Sequence, residues 1–103
     1  MPEINVEFRE TLPPFEEGDT LEIVSAEIVT TMIRGFRGVR VIAKDLKTGQ
    51  FKAEMLWLRD VVGDYSKLGA FIKALGKNTD NWIGKKIKIV RWQPKNRKIQ
   101  VIG

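Results

Sequence analysis

The apolar residues of this chain keep two different periods, and the order of those periods is the tightest constraint on its fold. A two-residue alternation runs through Leu21 and Ile23, through Val39, Val41 and Ala43, and through Phe51, Ala53, Met55 and Trp57. It gives way once, where Leu68, Phe71, Ile72 and Leu75 follow the i, i+3, i+4, i+7 spacing of an amphipathic helix. It then returns at Ile87 and Ile89 and at Ile99 and Val101. Three strands, one helix and two strands are therefore predicted, and 103 residues suffice for a single modest core. Ile4, Val6 and Phe8 alternate as well, ahead of a stretch from Thr11 to Gly18 that holds Pro13 and Pro14 and must turn or run extended. Residues 1–18 thus read as an N-terminal acidic arm with a short strand, and residues 19–103 as the domain.

Local signals sharpen this outline. Leu21 and Ile23 share one phase but Ala26 and Ile28 the other, the signature of a β-bulge that bends the first strand. Asp45 to Gly49 joins the second and third strands. A three-residue loop of Lys47, Thr48 and left-handed Gly49 sets Val41 opposite Met55 and Ala43 opposite Ala53, all on the core face. A four-residue loop would set Val41 opposite Glu54, so burial favours the shorter loop. Ser66 is placed to cap the helix and Gly76 to end it. Residues 78–82 can add one turn before Gly84, with Trp82 a core plug behind the helix, and Gln93 to Asn96 turn at Pro94. Thr30 to Arg37, interrupted by Gly35, reads as a loop.

Charge is unevenly distributed. Residues 1–33 hold one basic residue against eight acids, a net of −7, whereas residues 34–103 hold 17 basic residues against five acids, a net of +12. Lys85 to Lys98 contains seven cations and no acid. Such a single-sign run repels itself until a polyanion or solvent neutralises it, which makes a phosphate backbone the expected partner. The absence of Cys and His excludes disulfides, thiolate nucleophiles, Ser-His-Asp triads and ordinary zinc sites. Asp60 and Asp64 are too few for two-metal hydrolysis, and turn or capping duties account for them and for Asp80. The chain reads as no enzyme, with no cofactor and no metal. No run approaches the roughly 20 apolar residues of a membrane span, and Met1 is followed by Pro2 and Glu3 rather than a signal sequence. A soluble cytoplasmic protein with no membrane partner is expected.

The stretch Ser66-Lys67-Leu68-Gly69 through Lys73-Ala74-Leu75-Gly76, followed by Trp82-Ile83-Gly84-Lys85-Lys86-Ile87-Lys88-Ile89, carries a family resemblance. A capping helix that delivers an I-G-K-K-I-K-I strand resembles the small OB-fold single-stranded-DNA-binding proteins of phages, archaea and their mobile elements. The resemblance covers about residues 19–103. It implies an all-β fold with one short helix, a five-stranded Greek-key barrel with the helix between strands 3 and 4, here with an extra N-terminal strand. It also implies a ligand groove across strands 2 and 3, walled by the loops joining strands 1 and 2 and strands 4 and 5. The expected function is single-stranded nucleic-acid binding with little sequence preference, to DNA rather than RNA by the resemblance alone.

In that frame the first loop supplies Arg34, Phe36 and Arg37, and the second Arg91, Trp92, Lys95 and Arg97. Cations that track phosphates and aromatic faces that stack bases are what sequence-tolerant binding requires. Trp92 falls out of phase with Ile87 and Ile89, which directs it outward as the leading stacking candidate; the competing reading has it cover the barrel rim or the N-terminal arm. On strands 2 and 3 the favoured register exposes Arg40, Ile42, Lys44, Lys52, Glu54 and Leu56, a charged surface without an aromatic platform, with Trp57 reaching the groove only from the strand end. A register one residue away would instead turn Phe51, Met55 and Trp57 outward, and the two imply different sites. The competing function is an OB-fold protein-interaction module, in which exposed Leu56, Leu58, Ile42 or the arm strand packs on a partner. The arm also offers a route to a homodimer by exchange between subunits.

Overall fold

The computed structural model describes residues 12–30, 37–58 and 66–102, together with Gly35 and Gly63. The strand expected at Ile4 to Phe8, its exchange between subunits, Arg34, Phe36, Asp60 and Asp64 lie outside the described residues. Five strands, β1 (Thr20–Thr30), β2 (Arg37–Asp45), β3 (Phe51–Trp57), β4 (Lys86–Gln93) and β5 (Asn96–Val101), form one antiparallel sheet in the order β3-β2-β1-β4-β5. The helix α1 (Lys67–Leu75) and a 3-10 turn (Thr79–Asn81) lie between β3 and β4 in the chain. The sheet is not closed: β3 and β5 are its two ends among the described residues. Among those residues no helix is long and apolar enough to cross a membrane.

β1 is long enough to pair with two neighbours, β2 along most of its length and β4 through Thr20, Leu21 and Glu22. The expected bulge is present. The β1–β2 register shifts between Ile23 and Ser25, so that Leu21, Ile23 and Ala26 are all buried while Val24 is exposed. An extra residue of this kind bends the strand, and here it lets β1 serve both halves of the sheet. Ile28, expected inward with Ala26, is exposed near the strand end.

The β2–β3 hairpin departs from expectation by one residue. Val41 pairs with Glu54, Ala43 with Lys52 and Val39 with Leu56, because residues 46–49 form a four-residue loop. The Asp45 carboxylate accepts the Lys47 N–H at 2.9 Å, the Gly49 N–H bonds back to the Asp45 carbonyl at 2.7 Å, and Gly49 is left-handed with φ 76°. An Asx turn followed by a residue at positive φ is a self-sufficient connection, and it places one more residue in the loop than burial of Met55 requires. The consequence is a reversal of β3: Leu56 and Lys52 point into the protein, whereas Phe51 and Trp57 are 46% and 44% exposed.

An inward lysine is tolerable because its charge is met. Lys52 Nζ lies 2.8 Å from Asp19 Oδ2 and 3.6 Å from Asp45 Oδ2, all three side chains being nearly buried. Burial opposes the charge of Lys52, but the hydrogen bond and charge of Asp19, aided by Glu16 and Asp45, outweigh it and hold its pKa above that of an ordinary lysine. The N–H of Lys47 leads in depressing Asp45; burial works against it, and the Lys52 charge and a bond from Thr48 leave the carboxyl below the usual carboxylate range.

The core centres on Phe71 of α1. Ser66 caps the helix by accepting the Gly69 N–H at 3.0 Å, and Gly76 ends it at φ 87°. This orientation buries Leu68, Ala70 and Phe71. Trp82 is buried behind the helix, its ring 5.4 Å from that of Phe71 and its Nε1 donating to the Gly76 carbonyl at 2.9 Å. Phe15 also meets Phe71, with ring centroids 6.1 Å apart. Folded structure therefore begins before Asp19. The Pro13 carbonyl accepts the Ala53 N–H of β3 at 3.0 Å, while Gly18 and Asp19 exchange bonds of 2.7 and 2.8 Å with Ile89 of β4. Residues 13–19 form a strap across the core, with buried Phe15 as its anchor.

Candidate functional site

The register of the hairpin builds a mixed face on the outer side of β2 and β3. Lys44 pairs with Phe51, Ile42 with Ala53, Arg40 with Met55 and Gly38 with Trp57. Directly opposed residues on one sheet face have Cβ atoms only about 5 Å apart, so each cation of β2 stands beside an apolar side chain of β3. Gly38 has a specific part in this. A Cβ there would meet Met55 Sδ at 2.7 Å, so the missing side chain is what allows the Met55 thioether to lie over β2 next to Trp57. Arg37 is exposed at the start of β2, and its carbonyl accepts the Leu58 N–H at 2.9 Å.

Two half-exposed aromatic rings, a polarizable thioether and two cations form a surface that can take planar apolar groups and anions together. β1 limits the positive field, because Glu27 is the partner of Arg40 and Glu22 that of Lys44. On its other side Glu22 also pairs with Lys86, and Thr20 with Lys88, so the lysines of β4 continue the polar part of the surface.

Several residues expected at the site take other places. Lys52 is buried against Asp19 and cannot present its ammonium to a ligand. Glu54 also points inward, where it accepts Trp92 Nε1 at 3.3 Å and pairs with Lys67 at 3.1 Å. Trp92 is the most consequential correction. A second bulge shifts the β4–β5 register between Ile89 and Arg91 and returns Trp92 to the inner face. There its ring packs edge-on to Phe71 at 6.0 Å, and Arg97 sits 5.6 Å from the ring centroid. The reading of Trp92 as an outward stacking residue is thus overturned in favour of its covering role. Leu56 is buried, and Leu58 is half-buried against the core, which removes two of the apolar residues expected to dock a protein partner.

Lys95 occupies the tip of the β4–β5 hairpin with φ 63°, the one non-glycine residue at positive φ among those described. Gln93 pairs with Asn96, so Pro94 and Lys95 form a two-residue loop, in which Pro94 sits at the first central position and Lys95 takes the left-handed conformation at the second. Arg91 and Arg97 flank this tip on β4 and β5. The structure therefore brings Arg37, Arg40, Lys44 and Trp57 together on or beside one face and sets Arg91, Lys95 and Arg97 on a separate hairpin.

Phe51 and Met55 are the site residues that alternation alone assigns to the core. The signal that could have placed them outward is the acid pair Asp19 and Asp45, each at a strand start or end, for which Lys52 supplies a cation only if it points inward. Comparison with protein-family models, with curated proteins and with solved structures found no match to this chain.

Proposed function

We propose that the protein binds single-stranded nucleic acid with little sequence preference, bases stacking on Phe51 and Trp57 and phosphates meeting Arg40, Lys44 and Arg37. The observation that carries this reading is the one-residue register of β3, which supplies the aromatic platform on the same face as the β2 cations. Exposed aromatics beside cations satisfy both requirements of single-strand binding, since every base has a face to stack and every nucleotide a phosphate. The strand order supports an OB-type barrel opened between β3 and β5, and in that fold the face of strands 2 and 3 is the ligand surface. DNA is preferred to RNA in this proposal on family resemblance, no 2′-hydroxyl contact being identifiable from the side chains present.

The test is a salt-dependent titration with single-stranded DNA, duplex DNA and single-stranded RNA of equal length. With about three phosphates neutralised, log affinity should fall against log salt with a slope of roughly −2. Duplex should bind more weakly, its bases being unavailable for stacking. A flat salt response, or duplex binding equal to single-strand binding, would overturn the proposal.

A further inference from the structure

β1 sets two acids into the cationic face, and their register is specific. Leu21 and Ile23 are buried, so Glu22 between them stands on the outer side of the sheet, and Glu27 does likewise next to buried Ala26. Glu22 is paired with Lys44 of β2 on one side and with Lys86 of β4 on the other, so one row across the sheet reads Phe51, Lys44, Glu22, Lys86. A second row reads Met55, Arg40, Glu27. Among the described residues neither carboxylate forms a salt bridge, whereas Asp19, Asp45 and Glu54 are each held by a lysine. A surface that served only to attract phosphate would gain nothing from acids at its centre.

We propose that Glu22 and Glu27 make this face select bases that carry an exocyclic amino group, cytosine above uracil or thymine; the inference rests on the reading of the β2–β3 face as a single-strand site. A carboxylate only accepts hydrogen bonds, and the amino group on C4 of cytosine donates to it. Uracil and thymine present a carbonyl oxygen at that place. An oxygen set against a carboxylate repels it and leaves both without a donor. Neighbouring strands lie about 4.8 Å apart, so Glu22 stands about 10 Å from Phe51 along its row, where the bases that follow the one stacked on Phe51 arrive. Lys44 and Lys86, on either side of Glu22, offset its repulsion of the phosphates. The order cation, carboxylate, cation thus matches a strand in which phosphates alternate with amino-bearing bases. The preference is one of base composition and leaves the order of bases unread.

Oligodeoxycytidylate and oligodeoxyuridylate of equal length differ at the base edge only in the group on C4 and in whether N3 carries a hydrogen. Each is titrated against the full chain at neutral pH. The wild type should bind the cytidylate at least about fivefold more tightly. That ratio should not change with salt, since both strands carry the same phosphates. Glu22→Gln with Glu27→Gln should raise the affinity for the uridylate and bring the ratio to within about twofold of unity, because an amide both donates and accepts. Thermal melts verify that the variant is folded. A merely electrostatic role of the two acids would move both strands equally and leave the ratio as it was. That result, or equal affinities in the wild type, would overturn the inference while leaving single-strand binding in place. Absence of binding to either strand would overturn the reading of the face and this inference with it.

Discussion

Lys52 Nζ and Asp19 Oδ2 lie 2.8 Å apart on the inner side of β3, and this ion pair ties the strap before β1 to the strand that carries the exposed aromatics. Removing the cation leaves Asp19 and Asp45 close together without their partner. Lys52→Met should therefore destabilise the protein by about 3 kcal/mol in a urea titration. Its nucleic-acid affinity per folded molecule should not change, because the ammonium faces away from the ligand surface.

The same cluster sets the pH limits of stability. Asp45 titrates below its ordinary value of 3.8 in the folded protein, so the stability it contributes is present above that value and is lost as pH falls through the lowered folded pKa. Lys52 titrates above 10.5, so its contribution is present below that value and is lost as pH rises through the raised folded pKa. Melting temperatures measured from pH 6 to pH 2 should fall less steeply for Asp45→Asn than for the wild type, from a lower starting value.

The two classes of aromatic residue should respond oppositely to truncation. Phe51→Ala and Trp57→Ala should each weaken single-strand binding by about 1–3 kcal/mol with little change in melting temperature. Trp92→Ala should cost about 2–3 kcal/mol of stability through the gap left beside Phe71, with affinity per folded molecule nearly preserved. Calorimetric titrations paired with thermal melts separate the two patterns.

Lys95 bears a backbone conformation that glycine adopts freely. A left-handed residue with a side chain is strained by about 1–2 kcal/mol, so Lys95→Gly should raise the melting temperature despite the more flexible unfolded chain. If Lys95 also meets a phosphate, the same variant should lower the magnitude of the salt slope by about 0.7.

Gly69 is required for a different reason. A methyl group at this position of α1 would collide with the backbone carbonyl oxygen of Gly63, which has no side-chain freedom with which to yield. Gly69→Ala should lower stability by about 1–3 kcal/mol, even though alanine is the better helix former, and denaturant unfolding will show it.

Much of this fold is written in local pattern. The bulge in β1, the helix with its Ser66 cap and Gly76 stop, and the place of Trp82 each follow from residues within a few positions of one another. The face of β3 does not, because Phe51, Ala53, Met55 and Trp57 make as good a buried stripe as any alternation can. The Asx turn at Asp45 and the distant Asp19, 33 positions from Lys52, tip the choice. Trp92 failed for a related reason: a bulge at Val90 reverses the phase of everything beyond it, and a one-residue insertion leaves no mark in a short strand. The β2 cations of the candidate face were legible from composition and order, whereas its aromatic half depended on a tertiary ion pair.

The strap that anchors Phe15 also bears on self-association. β3 ends the sheet, and an exposed terminal strand is a template on which further chains can pair and polymerise. Pro13 occupies that template at Ala53, and it does so with a residue that accepts a hydrogen bond but has no N–H to offer onward. Pro14 follows it with the same deficiency. The seal is therefore one-sided by chemistry: it satisfies the strand beneath and presents two successive positions without donors to any strand approaching from outside.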